Sequence, residues 1–299
     1  MSLPSKPSKP SKHGKPDKLN KPSKHGKLNK PGKHGKPMKG VKDMKTIVVF
    51  NQKGGVGKTS TVINLMSEFT TRGKKVLVVD LDAQRNLTTF CGVREADRSV
   101  IDWLTLKGGI DEITQTKKYG DIIPADRTLE TELLRFASMP AFVIRIRDLL
   151  SKIPQDRYDV VLIDCPPAVN QLTAAALVAA DYVLIPTEAE FFSADGVGRI
   201  AETIAQVRPL NQEIKVLGVL IVKYNSRRTL TQALEAKLGA AVERLLDCEI
   251  FRTKIRATVD VPAAQATGLS VKEYRRDSKA AKDYSALADE IENIIGDRK

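Results

Sequence analysis

The chain has 299 residues, 41% of them hydrophobic and 5% aromatic, and a formal net charge of +13. That length and apolar content suffice for a sizeable buried core. The three cysteines, Cys91, Cys165 and Cys248, stand far apart with no C-x-x-C spacing, which argues against a disulfide framework, a zinc site or an iron–sulfur cluster and fits a reducing cytoplasm.

Residues 1–45 hold 14 lysines against two acids, Asp17 and Asp43, a net of +12 out of the chain's +13. The segment repeats Lys-His-Gly-Lys at 12–15, 24–27 and 33–36, and Leu-Asn-Lys-Pro at 19–22 and 28–31. It contains no aromatic residue, so it lacks the apolar surface needed to offset the entropy of ordering. A disordered, extended polycation is expected, with no apolar secretory leader. Its lysines suit nucleic-acid phosphates, bound without sequence preference, although a solvated or cargo-binding arm has the same composition. His13, His25 and His34 are too widely spaced for a specific metal site.

From about residue 46 the chain alternates strand-like and helix-like segments. The apolar run 46–50 leads into Lys53-Gly54-Gly55-Val56-Gly57-Lys58-Thr59-Ser60, which is followed by an amphipathic run over 59–71. Strand, glycine-rich loop and helix form a phosphate cradle. Glycines let successive N–H groups turn inward, and the helix N-terminus adds its positive dipole end. Lys58 supplies a cation for the β/γ-phosphates, and the Thr59 hydroxyl is placed to ligate Mg²⁺. The first glycine of the usual G-x-x-x-x-G-K-[ST] pattern is replaced by Gln52, and a second lysine, Lys53, flanks the loop.

The strand at 75–80 runs into Asp80-Leu-Asp82. Two aspartates at i and i+2 share one side of a strand end; one suits the metal environment, the other an attacking water. Further strands are expected at 120–124, 159–164, 182–186 and 215–222, with helices at 129–152, 171–180, 194–207 and 229–246. The 159–164 strand ends in Asp164, the Walker B arrangement, which would hold Mg²⁺ through water. Strands this apolar without alternation are buried on both faces, so the fold is α/β: a mostly parallel twisted sheet with helices on both faces, forming one domain over 46–299. No apolar run approaches the ~18 residues that a membrane span needs. A last helix over 278–295 carries Ala281, Tyr284, Leu287, Ala288, Ile291 and Ile295 at helical spacing, an expected packing stripe.

The K-G-G-x-G-K-[ST] loop resembles the deviant Walker A motif of the ParA/MinD ATPases. The ordered matches Asp80-Leu-Asp82-Ala-Gln-Arg-Asn86, Asp121-Ile-Ile-Pro124 and Ile185-Pro186 extend the resemblance to the ParA family over about 45–295. It implies ATP and Mg²⁺ as cofactors, with Thr59, Asp82 and Asp164 at the metal. It implies an ATP-dependent homodimer in which Lys53 reaches the partner subunit's phosphates. Lys53, Lys58 and Asp82 would be catalytic, and residues 53–60 would bind the nucleotide. The family's proline after the second aspartate is Ala83 here. The resemblance also implies non-specific DNA binding through Lys223, Arg227 and Arg228, joined by a second basic run, Lys272, Arg275, Arg276 and Lys279. A ParB-like or adaptor partner would stimulate hydrolysis, so that the cycle positions a plasmid, a chromosome or a protein cargo in the cytoplasm, on the nucleoid. The alternative is a MinD-like membrane-surface ATPase. The acids Asp283, Asp289, Glu290 and Glu292 on the last helix disfavour it, and no membrane partner is expected.

Overall fold

The computed structural model describes residues 44–188, 193–225 and 232–296. The expectations for the basic tail up to residue 43, and for Arg227 and Arg228, lie outside the described residues. Seven strands form one sheet: β1 (Lys45–Val49), β2 (Val76–Asp80), β3 (Gln115–Lys117), β4 (Gly120–Ile123), β5 (Val160–Asp164), β6 (Tyr182–Glu188) and β7 (Lys215–Val222). Their order is β3-β4-β2-β5-β1-β6-β7, and every pairing is parallel except β3 with β4. Sequence reasoning did not foresee β3. Its short, polar Gln-Thr-Lys run has no apolar signal, and it forms only because β4 offers it an edge.

The helices are α1 (Lys58–Thr71), α2 (Asn86–Phe90), α3 (Val100–Leu104), α4 (Ile110–Ile113), α5 (Leu129–Ser138) and α6 (Arg145–Leu150). After β5 come α7 (Gln171–Ala179), α8 (Ala194–Val207), α9 (Gln232–Leu246), α10 (Asp260–Ala266), α11 (Val271–Tyr274) and α12 (Lys279–Gly296). The single helix expected over 129–152 is two. Met139 precedes Pro140 and is extended (φ −79°, ψ 128°), and Ala141 is left-handed (φ 54°). A proline pushes its predecessor out of helical geometry, so the chain breaks there.

Alternation along the central strands divides the core in two. Val48, Val79, Ile163 and Val183 face the side covered by α3 and α5–α9, while Ile47, Val49, Val78, Leu162 and Leu184 face α1 and α12. Both faces are apolar because both are covered. The expected stripe on α12 packs as predicted: Tyr284, Leu287, Ala288 and Ile291 are buried in the same core as Ile63 and Met66 of α1. The acids of α12 are drawn into local contacts too. Arg72 donates to Asp289, Glu292 and the Ser285 carbonyl, and Glu290 accepts from the Arg252 and Thr253 amides.

Candidate nucleotide and metal site

The parallel strands place their carboxyl ends on one rim, where ligands of open α/β sheets bind. In register, Val49 sits beside Asp164 and Asp80 sits beside Asp164. The loop after β1 therefore meets the ends of β2 and β5, which are distant in sequence.

The loop is held from both sides. Asn51 accepts from the Lys53 amide (3.0 Å) and donates to the Pro186 carbonyl (2.9 Å). Gln52, standing where a first glycine is usual, donates to the Arg199 carbonyl (3.1 Å) and to Thr203 Oγ1 (2.9 Å) on α8. A glycine has no side chain to make that tie. Gly57 caps α1 in a left-handed conformation (φ 79°), which lets the Gly57 carbonyl accept from the Thr61 amide and hydroxyl. Ser60 Oγ accepts from Gln265 of α10 (2.8 Å). Sequence reasoning missed Gln265 and the Gln52 tie. The missing first glycine was the available signal for the latter.

Lys58 is buried, and its ammonium donates to the Lys53 carbonyl at 2.9 Å. Burial lowers its pKa below the ordinary lysine value, partly opposed by the Asp164 charge. Lys53, by contrast, is exposed. Asp164 is 1% exposed, and neither of its carboxylate oxygens has a hydrogen-bond partner among the described residues. Its pKa is raised, first by burial and then by the nearby Asp80 carboxylate, while Thr59 stands close enough to favour the charged form. A buried carboxylate without partners is costly, and such a group calls for a ligand. With the adjoining Thr59 hydroxyl it offers the hard oxygen donors that Mg²⁺ prefers. The donor set therefore fits a nucleotide-bound magnesium ion.

The two aspartates after β2 part company. Asp80 is fully buried and accepts three bonds: from the Asp82 amide (3.0 Å), the Thr88 amide (2.9 Å) and the Thr88 hydroxyl (2.6 Å). Burial raises its pKa to about 6 against the lowering effect of those bonds. It is a turn-holding residue. Asp82 is half-buried, accepts among the described residues only from the Gln84 amide (2.9 Å), and lines the cleft. Asp80→Ala should therefore lower unfolding free energy by roughly 2–4 kcal/mol, since it strands several buried donors. Urea unfolding of the variant checks this.

The cleft of about 1040 Å³ is lined by the loop, Asp82, Gln84 and Pro167, and on its far side by Lys223, Arg256, Thr258 and Pro262. Lys223 was expected at a DNA-binding helix start. It also lines the cleft, donating to the Gly55 carbonyl (2.9 Å) and pairing with Glu188 (2.6 Å). Arg256 forms a forked pair with Asp283. The second basic run is not at the cleft. There, Lys272 pairs with the buried Glu68 (2.9 Å), Arg275 lies 3.5 Å from Asp260, and Arg276 and Lys279 are exposed. Cys165 is buried and its thiol pKa is pushed up by burial, so it is inert.

Residues 44–216 match the family model described as an AAA domain. The chain is 35% identical over 252 residues to the chromosome-partitioning ATPase Soj of Thermus thermophilus, covering 83% of this chain and 95% of that one. The chain belongs to the ParA/MinD family of ATPases. Similarity to the chromosome partitioning protein ParA of Caulobacter vibrioides is 32% over 86% of this chain and 97% of that protein. A solved structure of a Mycobacterium smegmatis protein named cobyrinic acid a,c-diamide synthase is 29% identical, with a TM-score of 0.71 over 86% of this chain and 98% of that chain. It holds an ATP analogue and magnesium. Membership in the ParA/MinD family agrees with the parallel sheet and with the rim-placed loop expected from sequence.

Proposed function

We propose that this chain is a Mg²⁺-dependent ATPase of the partition or positioning kind, which dimerises around ATP and binds DNA non-specifically in that state. A ParB-like or adaptor partner then stimulates hydrolysis and releases it. The observation that carries the reading is the unpartnered, buried Asp164 beside Lys58 and Thr59 at the phosphate loop. Backbone amides of residues 54–60 cradle the phosphates, and the Lys58 ammonium exchanges the Lys53 carbonyl for phosphate oxygens. Thr59 and Asp164 would hold Mg²⁺, with Asp82 near them, and the ion would supply neutralisation of phosphate charge there. Asp82, free of the bonds that tie down Asp80, orients the attacking water. Lys53, exposed beside the buried Lys58, completes the partner subunit's site.

For DNA, the start of α12 supports the reading. Its first turn carries no acid, and Arg276 and Lys279 stand exposed there, so cations and a helix N-terminus together favour phosphate. Lys272 contributes less, because its ammonium neutralises Glu68. Lys223, Arg227, Arg228 and Arg275 complete the proposed set, with the basic tail adding sequence-independent attraction. The family's membrane-surface alternative is disfavoured because α12 buries its apolar stripe on α1. Cytoplasmic action on the nucleoid follows from this reading. The test is co-sedimentation of the full chain with plasmid DNA. More protein should pellet with ATP·Mg²⁺ than with ADP·Mg²⁺, and the excess should shrink as salt rises. Equal pelleting in both nucleotides would refute the switch.

A further inference from the structure

A second cavity, of about 630 Å³, borders α2 and shares Thr89, Phe90, Ala266 and Gly268 with the nucleotide cleft, but none of the phosphate-loop residues lines it. Its lining includes five cations, Arg85, Arg94, Lys117, Lys118 and Arg127, and no carboxylate. Two of the five are already engaged. Arg85 donates to the carbonyls of Ala125, Val93 and Arg94, and Lys118 pairs with Glu273 at 2.8 Å. Arg94, Lys117 and Arg127 form no ion pair with any described residue. Three unpaired cations converging on one concavity repel each other, and a protein tolerates that where an anion is bound. One wall is aromatic: Phe90 and Tyr119 stack at 5.8 Å between centroids. The volume falls within the range of small-ligand sites.

We propose that this cavity is a second anion site, which takes a compact phosphorylated molecule of about nucleotide size through Arg94, Lys117 and Arg127. The site is separate from the phosphate loop and does not depend on the function proposed above. It touches the same helix, however. The Asp82 carbonyl accepts from the Arg85 amide, and Thr88 on α2 holds Asp80, so an occupant would press on the turn that carries Asp82.

The test titrates inorganic pyrophosphate into the full chain saturated with ADP·Mg²⁺, at constant ionic strength, by calorimetry. A binding event should remain in the wild type and weaken at least about tenfold in Arg94→Ala/Lys117→Ala/Arg127→Ala. The basic tail is present in both proteins and cancels. Equal binding by wild type and triple variant overturns the proposal. A parallel arm uses a short DNA duplex. If the triple variant loses duplex but not pyrophosphate affinity, the cavity reads a nucleic-acid backbone, and the small-ligand proposal fails.

Discussion

Lys58→Ala should abolish the thermal stabilisation that ATP·Mg²⁺ gives the wild-type chain, and with it ATP turnover. A ligand at 100 times its Kd adds about 2.7 kcal/mol of stability to the folded state, and the variant should show almost none of it in differential scanning fluorimetry. Turnover should fall at least about a thousandfold, since phosphoryl transfer rests on positioning and charge stabilisation rather than covalent chemistry. The nucleotide-free variant should unfold close to the wild-type temperature. The Lys58 ammonium is buried, its pKa is lowered by that burial, and it donates a hydrogen bond to the Lys53 carbonyl. A lysine held in that way adds little to the stability of the empty protein at neutral pH, so what its removal costs is ligand binding. A variant that still gained several degrees with ATP·Mg²⁺ would place the nucleotide elsewhere.

Asp82→Ala should separate binding from turnover. Among the described residues its carboxylate accepts one hydrogen bond, from the Gln84 amide, and it is half-buried at the cleft, so unfolding free energy should change by less than about 1 kcal/mol. Nucleotide stabilisation should persist, because Lys58, Thr59 and Asp164 are untouched. The rate of phosphate release should drop by about 10²–10⁴, the range over which a positioned acid–base or water-orienting group contributes. Co-sedimentation with DNA in ATP should then outlast that of the wild type. The contrast with Asp80→Ala is the sharper test: two aspartates two residues apart should give opposite phenotypes, a folding defect at Asp80 and a turnover defect at Asp82.

Much of this was legible in the chain. Apolar runs without alternation announced strands covered on both faces, and the division of the core into two clusters bears that out. The stripe on α12 was read correctly because helical spacing carries the same information whether the partner is known or not. Short or polar elements were not legible. β3 is created by an edge on β4, and α10 and α11 are too short to show a period. The break in the long helix was legible in principle, at Pro140, but the apolar periodicity on either side of it masked the signal.

For the site, sequence alone determined the residues of the phosphate loop, the Gln52 substitution, the second lysine and the strand-end acids. Local order along the chain encodes a strand, a turn of small residues and a helix start. The family resemblance singled out Asp82, but the strand-end pattern by itself gave no physical reason to prefer it to Asp80. Asp80 and Asp82 look alike in a strand-end pattern, and only packing shows that Thr88 and the Asp82 amide consume Asp80's acceptors while Asp82 remains at the cleft. Nor did it place Lys223, which a positive φ of 51° and the Glu188 pairing turn toward the phosphate loop. The basic cavity beside α2 is likewise a tertiary fact. Arg94, Lys117 and Arg127 are scattered along the chain, and they become one electrostatic feature only because the fold brings the end of β3 and the segments after α2 and β4 to one concavity. Charge acts through space within a Debye length, and distance in space is what the fold supplies.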